Sequence, residues 1–131
     1  VVSIFVSRLL AGKPLTVFGD GRQTRDYVFV KDVARANVLA STVALPPVTT
    51  HESRAFNIAT SKEMSVLELA DAVGRAMGRK PEIEFAEPRA GELARSSLDT
   101  AKAHRVLGWT PKYAFSDGLT QLVDWFRGGC P

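Results

Sequence analysis

Only one cysteine, Cys130, occurs in the 131 residues, and it stands next to last. A lone thiol cannot close an internal disulfide, so a reducing cytoplasm is the simpler compartment and a tail thiol the simpler role. Histidine is almost as scarce. His51 falls in a polar loop and His104 on a helical stretch, with no Cys/His pair at ligand spacing. Metal ligation and a Ser-His-Asp arrangement therefore have no footing. No block of five like charges exists, and 17 basic against 14 acidic residues leave a net charge of +3. That mild excess suits an anionic small ligand and lacks the clustered basic stripe of a nucleic-acid binder. No apolar run reaches membrane-spanning length, and no membrane partner is expected. In "VVSIFVSRLLAGK" the charges Arg8 and Lys13 follow the apolar residues, the reverse of a signal peptide. A glycine-rich G-x-x-G-x-x-G opening and a P-loop are missing as well; "GDG" and "GGC" are too short to serve. The chain also starts without methionine, inside a helix-like pattern, which raises the expectation of a longer parent protein.

What is present reads as one globular domain. The chain is 45% hydrophobic and 24% charged, enough for a real core. An amphipathic helix runs to about Ala11, with Ile4, Phe5 and Leu9 near one face, and stops at Gly12 before Pro14. "LTVF" predicts a strand, Asp20-Gly21 a tight turn, and "RDYVFV" a second strand that is apolar on both faces. Asp32 is positioned to cap a helix over "VARANVLASTVAL", and "VTTHES" after Pro46-Pro47 is a polar loop. "RAFNIAT" predicts a strand. Ser65 and Glu68 form a capping box for "VLELADAVGRAMG", where Val66, Leu69, Ala70, Val73 and Met77 fall on one stripe before Gly78. "EIEFAE" is a strand and "PRAGELARSSL" an irregular polar segment. A helix begins at Asp99 or Thr100 and ends at Gly108, and "WTPKYAFS" leads to a last helix, "DGLTQLVDWF". Alternating strands and helices predict an α/β fold.

Few residues look chemical. Arg25 carries a fork that matches phosphate oxygens, at a strand mouth beside a turn. Spacing alone favours the blander alternative, an ion pair with Asp26 or Asp32. Arg89, Gly91 and Glu92 in "PRAGEL" suit a pyrophosphate and vicinal hydroxyls, or a solvated loop with a local ion pair. Asn57 in "FNIA" is a turn former or an amide donor to phosphate.

The order "LLAGKPLTVFGDGRQTRDYVFVKDVARA", "FNIATSKEMSVLELADAVGRAMG", "PRAGELARSSLDTAKAHRVLGWTPKYAFSDGLTQLVDW" resembles the C-terminal part of nucleotide-sugar epimerases and dehydratases. These are extended short-chain dehydrogenase/reductases of the UDP-glucose 4-epimerase kind. The resemblance covers nearly the whole chain. It implies an α/β substrate-binding part, residues 1–131, whose strands and helix return to a Rossmann sheet. The NAD-binding Rossmann domain of the family, with its glycine-rich loop and Tyr-x-x-x-Lys pair, has no counterpart here. "YVFVK" has that pair's spacing but is expected on a strand, whereas the catalytic pair belongs on one helix face. The implied chemistry is inversion at sugar C4 by transient oxidation on NAD. Carried over by motif, Arg25 and Arg89 hold the pyrophosphate, Glu92 the ribose, the backbone of Thr16 and Phe18 the uracil edge, and Asn57 a phosphate. The resemblance thus implies a UDP-sugar or other nucleotide sugar as partner, NAD only in the whole enzyme, and no activity for this chain alone. A 4,6-dehydratase or decarboxylase, or a non-catalytic nucleotide-sugar binding or oligomerisation module, are the alternatives. Apolar faces left bare would promote a homo-oligomer or rearranged packing.

Overall fold

The structure, a computed structural model, describes residues 1–128. The expectation for Cys130 lies outside the described residues. The helix most strongly specified by sequence, α3 (Val66–Met77), forms as its pattern dictates. Ser65 accepts from the Glu68 N–H at 3.2 Å, and the Glu68 carboxylate accepts from the Ser65 N–H at 2.7 Å. Gly78 ends the helix in the left-handed region at φ 70. Its whole apolar stripe is buried, and burying each Val or Leu contributes roughly 1.5–3 kcal/mol.

Helices α1 (Val2–Leu10) and α5 (Phe115–Arg127) pack against α3 around Phe5, Val6, Leu9, Leu119 and Val123. Ile4 departs from the expected face and is 59% exposed. Strand β1 (Leu15–Phe18) sends Leu15 and Val17 into the same core and pairs in parallel with β4 (Ile83–Ala86). A separate three-stranded sheet has the order β3-β2-β5: β2 (Thr24–Asp26) runs antiparallel to β3 (Glu63–Ser65) and parallel to β5 (Arg95–Ser96). A mixed α/β architecture is thus present, in two small sheets.

The run "RDYVFV" is not the strand its composition predicts. Pairing stops at Asp26, Tyr27 to Phe29 form no element, and Val30 opens α2 (Val30–Thr42). The apolar side chains are shared out. Tyr27 packs on the main core, Val28 on a second cluster built around Trp109, Leu107 and Ala36, and Phe29 on Tyr113 and Gly118. A Cβ on Gly118 would stand 2.8 Å from the Phe29 ring, so this crossing requires glycine. Apolarity at both parities reflects a bridge between two cores, not a strand covered on both faces.

The segment "RAFNIAT" likewise forms no strand. The 3₁₀ turn His51–Arg54 takes its first residue, Phe56 and Ile58 pack on the Trp109 cluster, and the Thr60 N–H donates to Asp26. Asp32 does not cap its helix; Phe29 is the N-cap residue, and Asp32 lies in the first turn. The helix therefore starts and ends three residues earlier than expected. Asp32 is instead 1% exposed and accepts from the N–H groups of Lys112 and Tyr113. The indole N–H of Trp109 donates to the Asp32 carbonyl at 2.9 Å. This latch joins α2 to the loop after α4 (Ala101–Leu107).

Candidate functional site

A cleft of about 410 Å³ opens where α1, β1, β2 and the 87–94 loop meet. Thr16, Phe18, Arg25, Arg89 and Glu92 all line it. Five of the six residues expected to bind substrate are thus brought together. Asn57 is not among them; its amide donates to the Asp99 carbonyl at 3.1 Å, which ties the 55–60 segment to the entrance of α4.

The β1 wall follows from strand alternation. The Leu15 N–H donates to Glu82 O and the Gly19 N–H to Ala86 O, so residues 15, 17 and 19 turn their peptide groups towards β4. Thr16 and Phe18 turn theirs to the opposite edge, where no strand pairs among the described residues. Gln23 Nε2 reaches across to the Phe18 carbonyl at 2.9 Å. The N–H and C=O of Thr16 and the N–H of Phe18 remain directed along a free edge. The turn that brings Gln23 back needs glycine at position 21. Its φ is +73, and a Cβ there would stand 2.7 Å from Leu67.

Arg25 leaves β2 and binds the loop opposite. Its Nη1 donates to Thr24 O at 2.7 Å and to Leu93 O at 2.8 Å, and Nη2 stands 3.4 Å from Glu92 Oε1. The ion pair expected with Asp26 or Asp32 does not form. Asp26 is taken by the N–H and hydroxyl of Thr60, and Asp32 by the latch and by Arg35. The Arg25–Glu92 pair is about a quarter to a third exposed, so screening keeps its worth below about 1 kcal/mol. Arg89 lies with its guanidinium carbon 3.9 Å from the centre of the Phe18 ring. Among the described residues no carboxylate stands within salt-bridge distance of Arg89.

Three further lining residues with polar side chains, Arg8, Gln23 and Tyr27, were not expected from the sequence. Arg8 ends the α1 face Val1, Ile4, Phe5, Arg8, and its Nε donates to Pro14 O at 2.5 Å. Gln23 precedes Arg25 by two, the spacing of one strand face, which is the signal that could have found it. Tyr27 also lines the cleft; its hydroxyl is buried without a hydrogen-bond partner among the described residues. Burial pushes that phenol's pKa up, and the Arg25 charge opposes part of the rise. The cleft therefore sets three guanidiniums, of Arg8, Arg25 and Arg89, against the single carboxylate of Glu92.

The "YVFVK" stretch is not on the strand expected for it: Tyr27 lies outside any element. Lys31 lies in the first turn of α2, where its ammonium donates to Gln121 Oε1 at 2.7 Å. A neighbouring cavity of about 390 Å³ shares Tyr27 and adds Lys62, Lys112 and Tyr113, but contains none of the six expected residues. No group of His, Cys, Asp and Glu suited to a metal ion occurs among the described residues. None of the described helices is long and apolar enough to cross a membrane.

Comparison with known proteins places these features in a family. Residues 1–122 match the GDP-mannose 4,6 dehydratase family. The UDP-glucose 4-epimerase of Mycolicibacterium smegmatis is 45% identical over 127 residues, which are 97% of this chain and 39% of that protein. The crystal structure of UDP-glucose 4-epimerase from Thermotoga maritima with UDP-glucose superposes with a TM-score of 0.88 at 38% identity. It covers 99% of this chain, which spans 40% of that one. The UDP-glucose 4-epimerase of Thermus thermophilus in complex with NAD gives a TM-score of 0.84 at 38% identity, over 98% of this chain and 40% of its own. dTDP-glucose 4,6-dehydratases occur among the relatives at lower identity. The chain thus spans about two fifths of the length of the relatives it matches.

Proposed function

The chain belongs to the GDP-mannose 4,6 dehydratase family, a family of nucleotide-sugar epimerases and dehydratases, and from that premise we propose that it is the nucleotide-sugar-binding part of an NAD-dependent UDP-glucose 4-epimerase. The observation that carries this reading is the cleft in which a free β-strand edge faces three guanidiniums and one carboxylate. A nucleotide sugar carries one negative charge on each of two phosphates, and Arg25 and Arg89 offer this cleft's donor forks to such a pair. Its base needs a short row of backbone donors and acceptors, which Thr16 and Phe18 supply.

Each residue then has a task. Arg89, uncommitted to any carboxylate, swings from the Phe18 ring onto the pyrophosphate and forms charge-assisted bonds there. Arg25 contributes its positive charge and its spare Nη2 donor capacity while anchoring the loop that carries Arg89 and Glu92. Glu92, released from Arg25 as the phosphates arrive, accepts from the ribose hydroxyls. Asn57 has a structural task instead, holding Asp99.

In a whole enzyme of this family NAD would supply a reversible acceptor for a hydride from sugar C4. On this reading the residues of the cleft bind and orient, and the acid and base of the reaction come from elsewhere. We therefore assign the NAD site and the catalytic pair to the remainder of the parent protein, and expect this chain alone to bind without turning over. Exposed Val30 (69%) and Val38 (60%) on α2 support a face that meets the remainder, or pairs with a second copy. A 4,6-dehydratase remains the second reading, favoured by the dTDP-glucose 4,6-dehydratases among the relatives.

Calorimetric titration of the chain with UDP-glucose tests the proposal. Saturable binding is expected, weakened about tenfold or more by Arg89→Ala, since one charge-assisted bond contributes about 1.5–3 kcal/mol. Conversion to UDP-galactose in the presence of NAD overturns the division of labour. Absence of binding at millimolar ligand overturns the site.

A further inference from the structure

Arg8 enters the cleft from α1, whereas Arg25 enters it from β2 and Arg89 from the 87–94 loop. Arg8 sits on the last turn of α1, and its Nε–H is tethered to Pro14 O, two residues before Thr16 on the neighbouring strand. Helix and strand run side by side from a short turn, so Arg8 lies level with the start of β1. At the Phe18 end of the strand Arg89 lies over the ring, and Arg25 bonds the loop that carries Arg89 and Glu92. Among the described residues no carboxylate lies within 4 Å of Arg8, so its terminal nitrogens are donors without an acid partner.

We propose that Arg8 is a base-specificity residue: its tethered guanidinium donates to a ring carbonyl of a pyrimidine lying along the β1 edge. This deepens the nucleotide-sugar reading and rests on it. A base held by the N–H and C=O of Thr16 and the N–H of Phe18 directs its outermost polar group towards the beginning of the strand. Guanidinium is donor-only. It rewards a carbonyl there, as in uracil or thymine, and repels the amino group of cytosine, which is itself a donor. The tether matters because a fixed fork loses little freedom on binding, whereas a free arginine would turn aside. The edge gives the same preference: Gln23 already occupies the Phe18 carbonyl, so an incoming amino group finds fewer acceptors than a carbonyl finds donors.

The test is a comparison of UDP with CDP, which share phosphates and ribose and differ at the base. Calorimetric titration of the chain is expected to give UDP about tenfold or more tighter binding than CDP, as one charged hydrogen bond predicts. In Arg8→Leu that ratio should collapse towards one through loss of UDP affinity, with CDP affinity nearly kept. Arg8→Lys retains the charge but loses the tethered fork, and should lower the ratio as well. Equal loss of both nucleotides in Arg8→Leu would mean that Arg8 acts on the phosphates or on folding, and would overturn the proposal. So would an unchanged ratio, or a wild-type chain that does not distinguish the two. If neither nucleotide binds the wild-type chain, the nucleotide-sugar reading itself falls, and the specificity role with it.

Discussion

Replacing Asp32 is expected to weaken the fold more than any exposed substitution, because its carboxylate replaces backbone pairing that nothing else supplies. Both of its oxygens lie 3.0 Å from the Lys112 N–H nitrogen, and Oδ2 also lies 3.1 Å from that of Tyr113. Asp32→Ala leaves two partly buried N–H groups without acceptors. At about 1–3 kcal/mol for each, the expected loss is about 3–4 kcal/mol. A chain of this length has an unfolding entropy near 0.27 kcal/mol/K, so the melting temperature should fall by roughly 12 °C. Asp32→Asn keeps one carbonyl oxygen and should lose about half as much. The pH dependence has a definite sign. Burial alone would raise the Asp32 pKa, but the Tyr113 and Lys112 N–H bonds and the Arg35 guanidinium together hold it below the usual carboxylate range. The folded chain therefore binds this proton less readily than the unfolded chain, where the pKa is about 4. The stabilisation is full above that pH and is lost as the pH falls through the lower folded value. Thermal melts from pH 7 down to pH 2.5 read the effect: the gap between wild type and Asp32→Asn should narrow on acidification. A fall below about 3 °C for Asp32→Ala at pH 7, or a gap that widens in acid, refutes the reasoning.

Two further substitutions probe packing. Ser65→Ala removes the capping box of α3 and should cost about 1 kcal/mol, read as a shift of the urea midpoint without change of slope. Gly118→Ala adds a Cβ 2.8 Å from the Phe29 ring, and should cost about 1–2 kcal/mol even though alanine favours helix; a more stable variant would mean that Phe29 yields freely.

Legibility in the sequence followed the range of the interactions. Helix α3 was readable because its cap, stripe and left-handed glycine all lie within fourteen residues. Strand β1 and the end of α4 at Gly108 were readable for the same reason. Tyr27 to Val30 were not, because β-branched and aromatic residues in a row have strand propensity whether or not a partner strand exists. Here the partners are two separate clusters, and which cluster takes which side chain is decided by α5 and Trp109, far along the chain. "RAFNIAT" failed likewise: Phe56 and Ile58 partly bury their side chains, but no strand meets their backbone among the described residues. In the cleft, Arg25, Arg89 and Glu92 came from compact motifs with distinctive composition. Arg8 and Gln23 are ordinary in sequence and become notable only when α1 and the turn at Gly21 set them beside β1. Asn57 shows the converse, a motif residue whose amide the fold uses for its own backbone.

The central claim is that the β1 edge and the arginine-lined cleft receive a nucleotide sugar. Amide chemical shifts of the isotope-labelled chain, followed during titration with UDP-glucose, test it most directly. The largest saturable shifts are expected at Thr16, Phe18 and residues 89–92, with Asn57 and the Trp109 cluster nearly unmoved. Shifts confined to the cavity around Lys62, Lys112 and Tyr113, or an unchanged spectrum at millimolar ligand, would contradict it.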